Sequence, residues 1–444
     1  MKRKMIACLL ALAMTVGMLS GCGSQEKSEK AVSGQEKEAG ETGEMKVPEE
    51  ITLYTYYTDS EVPIVDKTLE RLKKIYPDLT INIEHRTDAD GTVLKTRAAV
   101  GELPDIFECT GQLTEILRKS GDLAELDSAI EEKELFSKFL DNNFDVKKSD
   151  DGHYYAIDAT KPEGCLIYYN TEVFKQLKLE EPRNFEEFKK VVSTLKENDV
   201  IPLALFAQEK WPGLQMYDMA VIGQGQYLGL TGLEDGKTKI TDKEYAEAAK
   251  KVEEIISLGL IGQGALNTNA SQAFELMGTG KAGMLINGSW FFDDAIAGGW
   301  AENIDYFKFN PFSEPGKEEE TQWHMSGGSG SEGGYAVNAK GEYAEFCTQV
   351  AVDWVYQRAI VSAEQGRIGA LKETVEPAEQ RPASYQDFAD HVKDIKSNTK
   401  FEFALNNREL ISALEDSSEL LNVGSYTAED FIDTLSEQIP EVVE

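Results

Sequence analysis

Aromatic and acidic side chains collect where extended segments of this chain end. Tyr57, Asp59 and Glu61 follow the run that starts at Ile51, and Glu108, Thr110 and Gln112 lie at and beyond the end of Asp105 to Cys109. Glu163 precedes the apolar run Cys165 to Tyr169, Trp211 follows Ile201 to Phe206, and Gly288-Ser289-Trp290 closes Ala282 to Ile286. Flat rings beside carboxylates and amides suit a ligand with apolar C–H faces and a rim of hydroxyls, as a sugar has. No cluster of cations accompanies them, so an anionic ligand is not indicated. Taken singly, Trp211 and Trp290 are equally consistent with ordinary core aromatics.

Patterns for catalysis and cofactors fail on inspection. Gly328-Ser329-Gly330-Ser331-Glu332-Gly333 spells G-x-G-x-x-G, but a polar loop precedes it and the strand-like Tyr335-Ala336-Val337 follows. A dinucleotide site needs a strand before and a helix after. Gly280-Lys281 has Glu275 where a phosphate loop needs its first glycine, and Ala282 where it needs Ser or Thr. Asp88-Ala89-Asp90-Gly91 would place the cations Arg86 and Arg97 at the end ligands of a calcium loop. There is no G-x-S-x-G elbow, and His85, His153, His324 and His391 are scattered without zinc spacing. The expectation is therefore no catalytic residues, no metal and no cofactor.

The elements that must position these side chains belong to a long acidic chain. With 444 residues, 79 Asp+Glu and 45 Lys+Arg, the net charge is −34, which excludes nucleic acid and anionic membrane surfaces as partners. At its start Lys2, Arg3 and Lys4 precede an apolar run from Met5 to Leu19. That run spans about 22 Å, short of a bilayer core of roughly 30 Å, and reads as a secretory signal. Its end, Leu19-Ser20-Gly21-Cys22, resembles the bacterial lipoprotein signal, in which the cysteine carries lipid and becomes the mature N-terminus. Gly23 to Val47 has no aromatic residue and cannot order itself, so 22–47 reads as a tether. Cys109, Cys165 and Cys347 sit among apolar neighbours and read as buried free thiols.

Strand and helix patterns alternate through the body. Ile51 to Tyr57 is β-branched and aromatic. Val62 to Tyr76 carries Val65, Leu69, Leu72 and Ile75 on one helical face. Leu79 to Glu84 alternates, Thr92 to Val100 is helical, and Asp105 to Cys109 is a strand. A second unit starts near 160. It has strands at Cys165 to Tyr169, Ile201 to Phe206 and Ala282 to Ile286, and helices opened by Asn184 and spanning Lys243 to Ser257. Residues 313–334 read as a long loop, and helical patterns dominate from Tyr343 onward. Two α/β lobes follow, each a mostly parallel sheet flanked by helices.

The stretch from Tyr155 through Glu163, Tyr168-Tyr169-Asn170 and Phe174 to Pro182-Arg183-Asn184-Phe185-Glu186-Glu187 resembles extracellular solute-binding proteins of the maltose-binding type. Leu103-Pro104-Asp105-Ile106-Phe107, Gly280-Lys281-Ala282-Gly283-Met284 with Gly288-Ser289-Trp290, and Gly334-Tyr335-Ala336-Val337-Asn338 fit the same pattern. Glu364 to Ala370 fits as well, with Gly369 where the family usually has Pro, and Asn184-Phe185 replaces Thr-Trp. The resemblance implies a type II periplasmic-binding-protein fold with two lobes on a hinge. Residues 48–161 plus 322–355 would form one lobe, and 162–321 plus 356–444 the other. It further implies that a sugar is bound in the cleft and delivered to an ABC permease by a lipid-anchored monomer outside the cell, with no bond made or broken. Trp290 matches the stacking tryptophan and Glu163 a crossover carboxylate. Tyr57, Asp59, Glu61, Glu108, Thr110 and Gln112 occupy strand-end contact positions. Trp211, Gly327, Gly328 and Arg367 are further cleft candidates that equally suit a loop, turns and a surface ion pair. A secreted carbohydrate hydrolase and a binder of peptides or another non-sugar solute are the alternatives.

Overall fold

In the computed structural model, residues 45–443 are described, apart from 58–60, 87–90, 141–143, 145–146, 160–162, 329–332 and 379. The expected signal peptide, Cys22, most of the tether and Asp59 lie outside the described residues. The strands are β1 (Glu50–Thr55), β2 (Thr80–His85), β3 (Ile106–Cys109), β4 (Ala156–Ile157), β5 (Cys165–Asn170), β6 (Ile201–Ala204), β7 (Ala282–Gly288), β8 (Ile304–Tyr306), β9 (His324–Met325), β10 (Gly334–Val337) and β11 (Ser397–Asn398). They form a sheet ordered β2-β1-β3-β10-β4, another ordered β6-β7-β5-β8, and the two-stranded pair β11-β9.

Strand direction follows from how the chain travels between the sheets. β1, β2 and β3 are mutually parallel, and β10 is antiparallel to both β3 and β4. In the second sheet β6 parallels β7, while β5 is antiparallel to β7 and β8. Each sheet thus has a single reversed strand, the one that arrives from the other lobe. β5 starts where β7 ends, with Cys165 opposite Gly288, and β10 starts where β3 ends, with Gly334 opposite Cys109. A strand entering from the crossover side must run against neighbours that end there. The expected parallel bias therefore holds for all strands but these two.

Each lobe has its own core. Leu53, Ile106, Val337, Val350 and Trp354 pack together in the first, and Ile167, Phe188, Val192, Leu203 and Met284 in the second. Helix Ala344–Glu364 lies on the first core, as does Ala370, past the expected boundary at 355. Leu371 bridges to Phe139 of the same lobe. Local signals act as read: Asn184 accepts from the Glu187 N–H at 3.1 Å, while Glu187 reaches back to the Arg183 N–H at 2.9 Å. Cys109, Cys165 and Cys347 are buried and free, and burial pushes the Cys109 thiol up to about 11 and Cys347 to about 12.

The expected loop at 313–334 contains a short helix, Glu318–Thr321, and the hinge strand β9. β9 pairs in parallel with β11, placing His324 against Ser397 and Met325 against Asn398. Beneath this pair lies Asp218, fully buried in helix Trp211–Gly223. Its Oδ2 accepts from Thr399 Oγ1 at 2.6 Å, Ser326 Oγ at 2.8 Å and Gln215 Nε2 at 3.1 Å, and its Oδ1 from the Leu230 N–H at 2.7 Å. Burial pushes this carboxyl up to about 6 from a usual 3.8, against the downward pull of Thr399, the Leu230 amide and Ser326. The folded chain holds this proton more tightly than the unfolded chain. Asp218 therefore costs stability above pH 6, and the cost is relieved as pH falls toward 4. Relative to Asp218→Asn, wild type should gain ~2 kcal/mol between pH 7 and pH 4. Urea unfolding of both proteins at the two pH values measures this, and a constant difference would show that the carboxyl titrates normally.

Candidate functional site

The ends of β1, β2 and β3 carry the first wall of the cleft. Glu108 is half-buried, and its Oε2 accepts from Thr55 Oγ1 and from the Tyr56 N–H, both at 2.8 Å. The carboxylate thereby ties two strand ends and fixes Tyr56, a residue that is 48% exposed. Arg86 lies 5.7 Å from the centre of that ring. Tyr57 turns the other way, edge-on to His85 at 4.6 Å and against the first core. β1 stops at Thr55, two residues earlier than its sequence suggests, so Tyr56 as well as Tyr57 lies beyond the strand end.

Glu61 draws the lobes together. Its Oε1 lies 3.2 Å from Arg358 Nη2 and 3.3 Å from Arg367 Nη1. Arg367 Nε lies 3.1 Å from Asp293 Oδ2, and Arg381 Nη1 lies 2.8 Å from Asp293 Oδ1. Glu61 belongs to the first lobe and Asp293 to the second, so Arg367 bridges them. The structure corrects the expectation that no cations gather here. Arg86, Arg358, Arg367 and Arg381 converge from 86 and 358–381, a clustering invisible along the chain. The last three are matched to carboxylates of the protein itself. A second link between the lobes is Gln112, whose Nε2 donates to the Asn406 carbonyl at 3.0 Å.

The other wall is aromatic. Trp290 packs at 5.9 Å from Trp211 and 5.0 Å from Phe401, and Trp211 at 6.1 Å from Phe401. Trp290 and Trp211 are half-buried, so neither is wholly a core residue, and Phe401 is buried beneath them. The Trp290 ring folds over Gly288, where a Cβ would come within 2.3 Å of it. Gly327, at φ +71°, leaves room for Phe401, and Gly328, at φ +97°, lies so close to the Glu163 carbonyl that a Cβ would sit 1.9 Å away. Asn398 Nδ2 donates to that same carbonyl at 3.0 Å. Glu163, Gly327 and Gly328 thus meet at the hinge, next to the aromatic wall.

Thr110, directly after β3, caps helix Gly111–Lys119, accepting from the Leu113 N–H at 3.4 Å. Tyr56, Arg86, Asp293, Asp294, Arg358 and Phe401 were not evident from the sequence. For Tyr56 the signal was strand alternation, since Tyr54 two positions earlier is firmly placed; for the others no local pattern exists.

Residues 57–360 match the family described as bacterial extracellular solute-binding protein. The chain belongs to that family. An uncharacterised ABC transporter extracellular-binding protein of Pyrococcus horikoshii is 23% identical over 318 residues, 69% of each chain. The multiple sugar-binding protein of Streptococcus mutans is 24% identical over 271 residues, covering 57% of this chain and 60% of the relative. A chitin oligosaccharide binding protein superposes with a TM-score of 0.74 at 21% identity, over 89% of this chain and 98% of the other. The last likeness speaks to the fold, which is the type II solute-binding fold.

In this solute-binding protein the Glu61 pairs are largely shielded, with side-chain exposures of 14% for Glu61, 13% for Arg358 and 8% for Arg367. Removing the acid takes from Arg358 its ion-pair partner and leaves Arg367 with Asp293 alone. Glu61→Gln should therefore lower the unfolding free energy by about 3 kcal/mol. A urea titration showing a loss below the ~1 kcal/mol of a surface pair would mean water already shields these charges.

Proposed function

We propose that this solute-binding protein captures a neutral sugar or oligosaccharide between its lobes and passes it to the permease of an ABC importer, without catalysis. The observation that carries this reading is the pairing of a half-buried Trp290–Trp211 surface with a facing wall of hydrogen-bonding groups around Glu108, Tyr56 and Glu61. Stacking on the indoles favours the C–H face of a sugar ring, and the opposite wall meets its hydroxyls. The relatives that carry a ligand in their names, multiple sugar and chitin oligosaccharide, support the same substrate class.

The contact set we propose is Glu61, Glu108, Gln112, Glu163, Trp211, Trp290, Gly327, Gly328 and Arg367, joined by Tyr56, with Tyr57 and Thr110 shaping the wall from behind. Binding drives closure because the closed form makes contacts to the sugar that the open form lacks. The lobes we propose divide at the crossovers near 160, 326 and 372. The N-terminal pattern ending at Cys22 supports a signal peptide and a lipid anchor that holds the monomer at the outer face of the cell membrane.

Thermal-shift titration against raffinose, stachyose, xylotriose, chitobiose, galactose and a peptide set should give stabilisation with a sugar and no turnover. Protection by peptides alone would overturn the substrate class, and release of smaller sugars would overturn the absence of catalysis. Trp290→Ala should weaken the bound sugar by ~1–3 kcal/mol with the fold retained. Isothermal titration checks this, and an unchanged affinity would place the ring in the core.

A further inference from the structure

Asp294 is a carboxylate of the charged cleft cluster for which, among the described residues, the structure shows no donor. It lies in the first turn of helix Phe291–Ala297, which Trp290 caps. A separation of four residues puts it one turn along, on the side of the helix that bears Trp290. Its neighbour Asp293 is occupied by Arg367 and Arg381. Asp294 is half-buried, beside the like charges of Asp293 and Glu61, and a carboxylate so placed without donors is costly. The opposite wall has a counterpart: among the described residues, Arg86 Nε, enclosed beside Tyr56, has no acceptor. One lobe therefore holds an unmatched donor and the other an unmatched acceptor.

We propose that Asp294 contacts the ligand directly, accepting hydrogen bonds from hydroxyls of a sugar whose ring lies on Trp290. This rests on the sugar-binding reading above. A carboxylate accepts from two adjacent hydroxyls at once, a geometry that a ring diol supplies and a lone amine does not. The ligand's donors replace the missing partners and offset a penalty already built into the fold.

The same placement makes capture sensitive to acid. Burial, then the Asp293 charge, push Asp294 up to about 6, with Arg367 opposing and Glu61 adding to the rise. Accepting two hydroxyls requires the ionised form, so binding must expel a proton below pH 6, and affinity falls there. The charged and ionisable groups facing Asp294 are Asp293 on its own helix, Arg367, Glu61 and Tyr56 across the cleft, and Tyr168 of β5. Arg381 reaches it through Asp293, and His85 stands behind Tyr56 at a ring distance of 6.0 Å.

The test is titration of the full chain and of Asp294→Asn with raffinose, stachyose, xylotriose and chitobiose at pH 7 and pH 5. Wild type should bind at least one of these sugars and lose about tenfold in affinity between pH 7 and pH 5, as the ionised fraction falls. Asp294→Asn should bind the same sugar roughly ten- to a hundredfold more weakly at pH 7, with no further loss at pH 5. The flat profile separates Asp294 from His85. Equal affinities at pH 7 would overturn the contact, as would a variant that is weaker but keeps the wild-type pH profile, since that is the behaviour of a structural role. Wild type binding none of the sugars would remove the sugar reading and this contact with it.

Discussion

One buried carboxylate ties the hinge strands to the second lobe. Asp218 receives hydrogen bonds from Ser326 and Thr399, which end the two hinge strands, and from Gln215 and the Leu230 amide of its own lobe. An isolated ionised group in such a place would be prohibitively costly, and these donors are what offset most of that cost. The consequence is directional. Ser326 and Thr399 are thereby fastened to the second lobe, in which Asp218 sits. Gly327 donates its own N–H to Thr399 Oγ1 at 2.8 Å, which extends the fastening by one residue. Gly327 and Gly328, both at positive φ, follow Ser326 directly, a backbone conformation that glycine adopts without strain.

Given a pinned hinge, strand direction and site location are no longer independent. A strand that enters from the crossover reverses, and its neighbours then end at the hinge with their last residues facing the cleft. This is why Tyr56, beyond one sheet, comes near Asp294, beyond the other, and why Arg367 can join Glu61 to Asp293. The cleft lies outside the carboxyl ends of both sheets, where an open α/β sheet leaves backbone and loop groups free for a ligand. The ion pairs through Arg367 and the Gln112 contact then hold the lobes together without help from a ligand. A sugar can shift the closure equilibrium only by what it adds to the closed form beyond those contacts.

The sequence carried the local part of this account and little of the long-range part. Helices Thr92–Val100 and Lys243–Ser257 begin and end where their periodicity places them, and the Asn184 cap forms as its spacing implies. These features depend on residues within a turn or two of each other. Strands β9 and β11 have two residues each and exist only because of one another, 73 residues apart between His324 and Ser397, so the intervening pattern reads as loop. Trp290, Glu61 and Arg367 were legible as candidates because a turn or a resemblance marked them. Phe401 lies among polar residues late in the chain and enters the site only because Gly327 leaves space for its ring. Asp218 sits in a helix with buried residues all round, where no periodicity distinguishes a hinge ligand from a core position.

The charge balance of the cleft bears on ligand class more directly than the charge of the whole chain. A net charge of −34 repels anions from a distance, yet four arginines converge on the site. Taken alone they would suggest an acidic sugar. But Glu61 takes both Arg358 and Arg367, and Asp293 takes Arg367 and Arg381, so an anionic ligand would have to displace carboxylates that already have good geometry. It would gain one set of ion pairs by breaking another, and would leave the displaced acids in a half-buried site beside Asp294. A neutral hydroxylated ligand has no such exchange to make. It leaves the bridges that join the lobes intact, and in the contact proposed above it brings Asp294 the donors that the described residues do not supply. The arginines act as fastening between the lobes, and in the sugar reading proposed above recognition falls instead to the indoles and to the polar groups that the fastening leaves over.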